Sequence, residues 1–484
     1  CNMMIPQASK ENQVSNRKSR QERRPEIKAE KKRIKKATRA ARKAGMSVDF
    51  DNTTITGFGN LQFLEQFKLA IGFKDLFSEK ISLTKANNSV YSIPELLDWH
   101  TDALAVGISR FEHLDTLKKD PGYLALKELD RFPDESTFRG AYNLADEDTL
   151  KELEEILVAI LHKRAELEGP KSVWIDIDDT VITLFGEQEN GAIGYNPRYK
   201  GRKSYMLRVA TLHLSREIIA VKLYDGKASG QEMGDFLDVV NRNLPKNYVL
   251  EGIRADCGFF SESNIEWVEK QESDYFIKVK KNVTIKNVIE FINEEKLWEE
   301  IDDTYSITEL TFPLKTWKFA RRFVFIREKV PPKDEKQLEL FDNYKYQVIV
   351  TKSELPAIDV WRNYNQRCDV ENCIKELRYG FGIKEASQNL FLKNACFAIC
   401  KAIAYNLILW FKSALFPEEI KSYQVATIRR LIINVPGNIV NISGGYRRIR
   451  LAPNEWLEKV VRTIQKNMEL FFMALFQGAT AEVT

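Results

Sequence analysis

The chain contains the run Val173-Trp174-Ile175-Asp176-Ile177-Asp178-Asp179-Thr180-Val181-Ile182, in which three carboxylates interrupt an apolar, β-branched strand pattern. Charges at a strand centre must be paired or must hold a cation, because an isolated buried carboxylate is too costly to leave alone. Side chains alternate across a strand, so Asp176 and Asp178 share one face and Asp179 lies on the other. Such oxygen donors suit a hard divalent cation. A fourth carboxylate, Asp256, follows the run Val249–Ala255 at a strand end, where α/β sheets gather their functional groups. As an ordinary residue it would cap the helix that starts near Ser261. A separate segment, helical in composition, carries Tyr364, Arg367, Glu371 and Arg378 at spacings of three, four and seven, hence on one face. It offers an acid flanked by cations that can bind phosphate. Its plainer reading is an exposed Arg367–Glu371 pair worth only about 0.3–0.5 kcal/mol.

These groups are far apart in sequence, so a scaffold has to gather them. From Ser172 the apolar period changes to that of strands, giving Val173–Leu184, Tyr205–Leu214 and Glu217–Tyr224 as three successive strands. A helix over Gln231–Leu244, a strand Tyr248–Ala255, a helix Ser261–Lys270 and a strand Asp274–Val279 follow. The order βββαβαβ predicts an α/β fold with a ribonuclease-H-like mixed sheet. Residues 281–355 read as a β-rich insertion, with strands at Phe319–Arg327 and Tyr344–Val350. Upstream, Leu61–Leu76, Ile93–Leu104 and Thr149–Leu167 repeat apolar residues three and four apart, which predicts helices. A turn and helix start at Pro133-Asp134-Glu135-Ser136-Thr137 would suit a helix-turn-helix-like piece. Downstream, Phe391–Ser413 and Trp456–Phe476 predict two further helices. The expected organisation is a basic tail (1–45), a helical DNA-binding region (46–170), a catalytic core (171–280), the insertion (281–355), the Glu-bearing helix of the core (356–390) and a helical C-terminal region (391–484).

Together the three motifs resemble those of DDE transposases of bacterial insertion sequences, closest to the insertion sequence 1380 group within the class that carries a Y-(2)-R-(3)-E-(6)-K signature. Tyr364, Arg367 and Glu371 match that spacing, with Arg378 where the class has Lys. Asp178-Asp179-Thr180 matches the first-Asp motif, and Arg254-Ala255-Asp256-Cys257-Gly258-Phe259 the second, with Cys257 where Ser is usual. Gly194-Tyr195-Asn196-Pro197 and Gly201-Arg202-Lys203-Ser204-Tyr205 are similar to the loop after the group's first strand. The resemblance implies that Asp178, Asp256 and Glu371 are catalytic and hold two Mg²⁺ ions, for which Mn²⁺ substitutes, about 3.5–4 Å apart. It also implies DNA as the partner, both transposon terminal inverted repeats and target, with a homodimer pairing the two ends in the bacterial cytoplasm, at the nucleoid. DNA contacts fall to Tyr364, Arg367 and Arg378, and to Arg198, Lys200, Arg202 and Lys203 of a basic loop. Trp298 and Trp317 of the insertion would stack on an unpaired base or, more plainly, fill a core.

Composition narrows the alternatives. With 484 residues, a hydrophobic fraction of 44% and 29% charged residues, the chain is a folded protein of more than one domain. Six cysteines without a CxxC pair and four histidines without HxH or HExxH spacing argue against a disulfide framework and against zinc chemistry. Lys401 and Asn406 interrupt the apolar stretch Ala395–Phe411, and the first forty residues lack the apolar segment of a signal peptide, so a cytoplasmic protein without membrane spans is expected. Fourteen Lys/Arg against three Glu give residues 17–43 a balance of +11, and subtracting that from the chain's +4 leaves −7 elsewhere. Such a block neutralises phosphates, and its alanines permit a helix once a polyanion screens the repulsion. Two rival functions remain. Asp176-Ile177-Asp178-Asp179-Thr180 also resembles the loop of haloacid-dehalogenase-type phosphatases, with Asp176 as nucleophile and Asp178 as acid/base. A nonenzymatic DNA-binding descendant of a transposase would lack one of the three carboxylates.

Overall fold

A computed structural model describes residues 20–44, 52, 54–86, 89–228, 230, 233–330, 344–441 and 447–481. The chain divides into two units, 1–53 and 54–484. In the first, the basic segment forms one helix, α1 (Arg20–Ala44), whose residues 24–40 are all exposed. This agrees with the helix its alanines allow.

In the second unit, helices α2 (Ile93–Ala105) and α3 (Glu147–Glu168) belong to the upstream helical region. Capping boxes start both, Ser92 with Glu95 and Asp146 with Thr149. The predicted helix Leu61–Leu76 is instead two, Leu61–Ala70 and Phe73–Lys80, broken where Gly72 adopts φ +62°. The strand-patterned stretch gives β1 (Lys171–Thr183), β2 (Lys203–Leu212) and β3 (Ile218–Asp225). Then come α4 (Gly234–Asn243), β4 (Tyr248–Ala255), α5 (Glu262–Lys270) and β5 (Asp274–Lys278). β1, β2 and β3 form an antiparallel meander, while β4 pairs parallel to β1, and β5 parallel to β4. The resulting order β3-β2-β1-β4-β5, with helices between the parallel strands, is the ribonuclease-H-like mixed sheet expected from the sequence.

The insertion differs from a purely β piece. It begins with a helix, α6 (Val283–Glu294), and continues as β6 (Tyr305–Phe312), β7 (Arg321–Lys329) and β8 (Tyr344–Thr351). β8 pairs antiparallel with β5, Ile349 opposite Lys278 and Val350 opposite Ile277, so the insertion prolongs the same sheet. The Glu-bearing segment follows as α7 (Ala357–Asn365) and α8 (Cys368–Gly380), then α9 (Phe391–Leu415) and α10 (Glu455–Ala481). Between these last two, the strands Gly437–Asn441 and Arg447–Leu451 form a small antiparallel sheet with Ile55–Thr56, so the terminal regions are not the purely helical ones expected.

α9 is long and apolar enough to cross a membrane, yet it lies wholly inside the protein. It shares one core with α2, α3 and the β2–β3 face of the sheet. Its two polar interruptions are satisfied there. Lys401 donates to the Gly382 carbonyl at 2.6 Å and sits 4.0 Å from the Phe397 ring centroid. Asn406 donates to and accepts from the backbone of Ile218, both at 2.8 Å, tying α9 to the first residue of β3.

Candidate active site

β1 carries its three aspartates into three different ion pairs, and the register of the sheet explains two of them. Asp176 lies opposite Arg254 on β4, and Asp179 opposite Arg208 on β2. Arg254 grips both oxygens of Asp176, at 2.6 and 3.0 Å, with both side chains buried. Arg208 grips both oxygens of Asp179 at 2.9 Å beneath the rings of Tyr224, Phe259 and Phe236. Burial nonetheless holds the Asp179 carboxyl above its ordinary value, against the pull of Arg208. Asp176 is closed to solvent, while Asp179 keeps 18% of its side chain exposed. A phosphatase nucleophile at Asp176 would need an open face, and its side chain has 0% exposure.

Asp178 is different, because the residue opposite it on β2 is the apolar Val209. Its cation comes from outside the sheet: Arg367 Nη2 reaches Asp178 Oδ1 at 2.8 Å while Nη1 reaches Glu371 Oε1 at 3.2 Å. Because Ile177 pairs with Ala255, Asp178 and Asp256 leave adjacent strands at the same level. Asp256 caps only the short turn Cys257–Phe259, accepting from the Gly258 amide at 2.7 Å, while the helix expected to use that cap starts after Ser261, whose own side chain is the cap. Burial, with the charges of Asp256 and Glu371 added, outweighs Arg367 and pushes the Asp178 carboxyl up to about 7. Asp178, in the middle of β1, thus feels Asp256 just past the end of β4 and Glu371 in the first turn of α8, with a single guanidinium between Asp178 and Glu371. Among the described residues no three His, Cys, Asp or Glu side chains stand close enough to hold an ion together. The donor set itself, carboxylates with like-charge repulsion and no thiol or imidazole, fits a hard divalent cation.

The helix predicted through Tyr364–Arg378 is broken. α7 ends at Asn365 and α8 starts at Cys368, with Arg367 as its N-cap. The break turns Arg367 inward, only 7% exposed, and leaves Glu371 on the open side, its side chain 52% exposed. Tyr364 is buried among Phe276, Val324 and Val360, and burial raises its hydroxyl above the ordinary tyrosine range. Tyr364 and Arg367 therefore lie in the interior beside the acids and not on an exposed helical stripe.

The remaining cations do face outward. Arg198, with Pro197 and Tyr199 of the loop before β2, lines a cleft shared with Asp179, Thr180, Arg378 and Lys384. Lys384, unnoticed in the sequence, has its ammonium held below the ordinary lysine value by burial and by Arg378 and Arg198. Lys200 and Arg202 are exposed, Arg202 lying over the Phe185 ring, while Lys203 is engaged by Glu187 at 2.5 Å. Asn196 orders the loop, donating to Thr183 Oγ1 and accepting from the Tyr199 amide, both at 3.1 Å. Gly194 backs against the Gly226 carbonyl with no room for a Cβ. Trp298 and Trp317 are half-buried, each beneath an arginine, Arg327 and Arg321, and packed on Tyr346 and on Phe260 respectively. His100 packs flat on Phe397 in the core and Cys396 and Cys400 are buried, as plain core residues would be.

A family model described as Transposase DDE domain group 1 matches residues 38–470. None of the curated proteins matches the chain. Among solved structures, the chain is similar to piggyBac transposase in a synaptic complex with hairpin DNA, at 13% identity over 87% of this chain and 80% of that one, with a TM-score of 0.40.

Proposed function

The chain belongs to the transposase DDE domain group 1 family, enzymes that cut and transfer DNA, and on that premise we propose that Asp178, Asp256 and Glu371 are the carboxylates with which it cuts the ends of an insertion sequence and joins them to a target. The finer placement in the insertion sequence 1380 group rests on the motifs around Asp178, Asp256 and Glu371 and on the loop motifs Gly194–Pro197 and Gly201–Tyr205. The observation that supports the reading is that Arg367 bridges Asp178 and Glu371, with Asp256 just past the end of the neighbouring strand β4, and leaves Asp178 under-compensated. Asp178, Asp256 and Glu371 would hold two Mg²⁺ ions, which when bound activate the attacking hydroxyl and stabilise the leaving oxygen. Gathering the acids around a cation requires Arg367 to release Asp178 and Glu371. Arg367, once free, faces the phosphate side of the site with its charge available for the DNA backbone. Arg198, Arg378 and Lys384 line a cleft beside Asp179 and Thr180 of β1 and would orient the strand through its phosphates, a sequence-independent role.

DNA comes as terminal inverted repeats and as target, and pairing of two ends implies a homodimer on DNA. The helical region 46–170 and the insertion 281–355 are the surfaces proposed for end recognition. α1 adds non-specific attraction. Purified full-length protein, supplied with the element's own ends and Mg²⁺, is expected to nick those ends and transfer them. Asp256→Asn and Glu371→Gln are expected to reduce both steps to background while DNA binding persists; activity that survives either change refutes the assignment. Removal of residues 1–45 is expected to flatten the salt dependence of DNA binding by about 0.9 in logarithmic slope for each phosphate that α1 neutralises, read by titration at several salt concentrations. An unchanged slope removes α1 from the interface.

A further inference from the structure

The segment that carries Glu371 is attached to the sheet by two arginines outside the catalytic set. Arg254, besides holding Asp176, turns its remaining Nη1 to the α7–α8 break, donating to the Asn363 carbonyl at 2.8 Å and to Gln366 Oε1 at 3.1 Å. Arg216, in the turn between β2 and β3, reaches Asp369 in the first turn of α8 at 2.8 Å. Beside it His213 Nδ1 faces Asp369 at 3.6 Å and Asp176 at 3.7 Å.

The turn that presents Arg216 is itself strained. Leu214 and Arg216 both adopt left-handed backbone, φ +68° and +60°, although neither is glycine. Packing does not impose this on Leu214, whose side chain is 80% exposed. Strained conformations of this kind persist where the surroundings over-determine them, and they concentrate at functional sites. Here the strain aims a guanidinium at the helix that bears Glu371. Arg254 lies two residues before Asp256 and Asp176 two before Asp178, so the Arg254–Asp176 pair ties both catalytic strands to the break, while Arg216 reaches α8 from the β2–β3 turn.

Building on the catalytic reading above, we propose that Arg254 and Arg216 are positioning residues that clamp the break between α7 and α8 to the sheet and so set where the Glu371 carboxylate stands relative to Asp178 and Asp256. Neither touches DNA or a reacting atom. They act through Gln366, Asn363 and Asp369, as outer-shell partners orient the ligands of a metal site.

Arg254→Met strands Asp176 as a buried, unpaired carboxylate and can simply unfold the protein, so the test rests on Arg216→Met and Gln366→Leu, which leave the Asp176–Arg254 pair intact. Two readouts do not depend on turnover. In the metal-free protein, the amides of residues 368–371 are expected to exchange with solvent about 10-fold faster in either variant, while amides of β1 and β4 keep their wild-type rates. Titration with Mn²⁺ alone is expected to show about 10-fold weaker binding, with Arg216→Lys recovering part of it. Unchanged exchange at 368–371 together with unchanged Mn²⁺ affinity overturns the clamp. Glu371→Gln, run in parallel, separates the two ideas. If it leaves cleavage intact, the catalytic reading fails; if it abolishes cleavage while the clamp variants behave as wild type, the clamp alone fails.

Discussion

Among the described residues, two of the groups of interior charges are balanced differently. In the helical region, Lys68 and Lys127 meet Glu65, Asp98 and Asp102; Lys68 lies 2.7 Å from Asp98 and also bonds Asp102, while Lys127 lies 2.6 Å from Glu65 and 2.8 Å from Asp102. Burial pushes the Asp102 carboxyl up, but Lys127 and Lys68 outweigh it and hold the group below its ordinary value. Beside β1 and β4, Arg367 bridges Asp178 and Glu371 with Asp256 nearby, and the balance falls the other way, the Asp178 carboxyl being pushed up to about 7. A closed ionic group ties neighbouring helices together. An open one is under-compensated and has a use for an added cation.

The difference can be broken most decisively at Asp178. Asp178→Asn is expected to reduce cleavage to background and yet leave unfolding free energy unchanged or raise it by about 1 kcal/mol, since a poorly compensated charge is removed. Chemical denaturation beside an end-cleavage assay checks both halves, and a large loss of stability would place Asp178 with the closed group. In that closed group, Lys68→Met leaves Asp98 and Asp102 without one of their cations and is expected to cost about 3–5 kcal/mol. DNA cleavage per folded molecule should be unaltered. A smaller effect separates the helical core by pH. His100, stacked on Phe397 and bonded to Tyr142 at 2.7 Å, is pushed down to about 3 by burial and by nearby Lys401. The unfolded chain therefore binds a proton that the folded one refuses, and stability is lost as pH falls from about 6.5 towards 3. Thermal melts of wild type and His100→Gln are expected to converge over that window. Parallel curves would mean that His100 is protonated in the fold.

Much of this was legible in the residues, for physical reasons. Strand boundaries from β1 to β5 follow from alternation and β-branched content, and the prediction of Tyr248–Ala255 coincides with β4. The helix α6 was hidden because Val283, Thr284, Ile285, Val288 and Ile289 are β-branched, and only burial of Ile285, Ile289 and Ile292 on one face makes the segment helical. The break at Gln366 carries no Gly or Pro signal. It is enforced from outside, by Arg254 and by the inward pull on Arg367. The three aspartates stood out in sequence, but what distinguishes them is strand register, which puts Arg254 and Arg208 directly opposite two and leaves the third to Arg367. Register is a tertiary property and no local pattern reports it.

The seam between β5 and β8 has a mechanical consequence. Val279 donates to the Val348 carbonyl beyond the two paired positions, and Ile277, Val279, Val348 and Val350 lie in one core with β1 and β4. A segment spliced into a sheet in this way cannot swing like a tethered module. The outer strands stay at a fixed offset from the acids, like a fixture bolted to the same bed as the tool, and any adjustment falls to the loops and to the segment between α7 and α8.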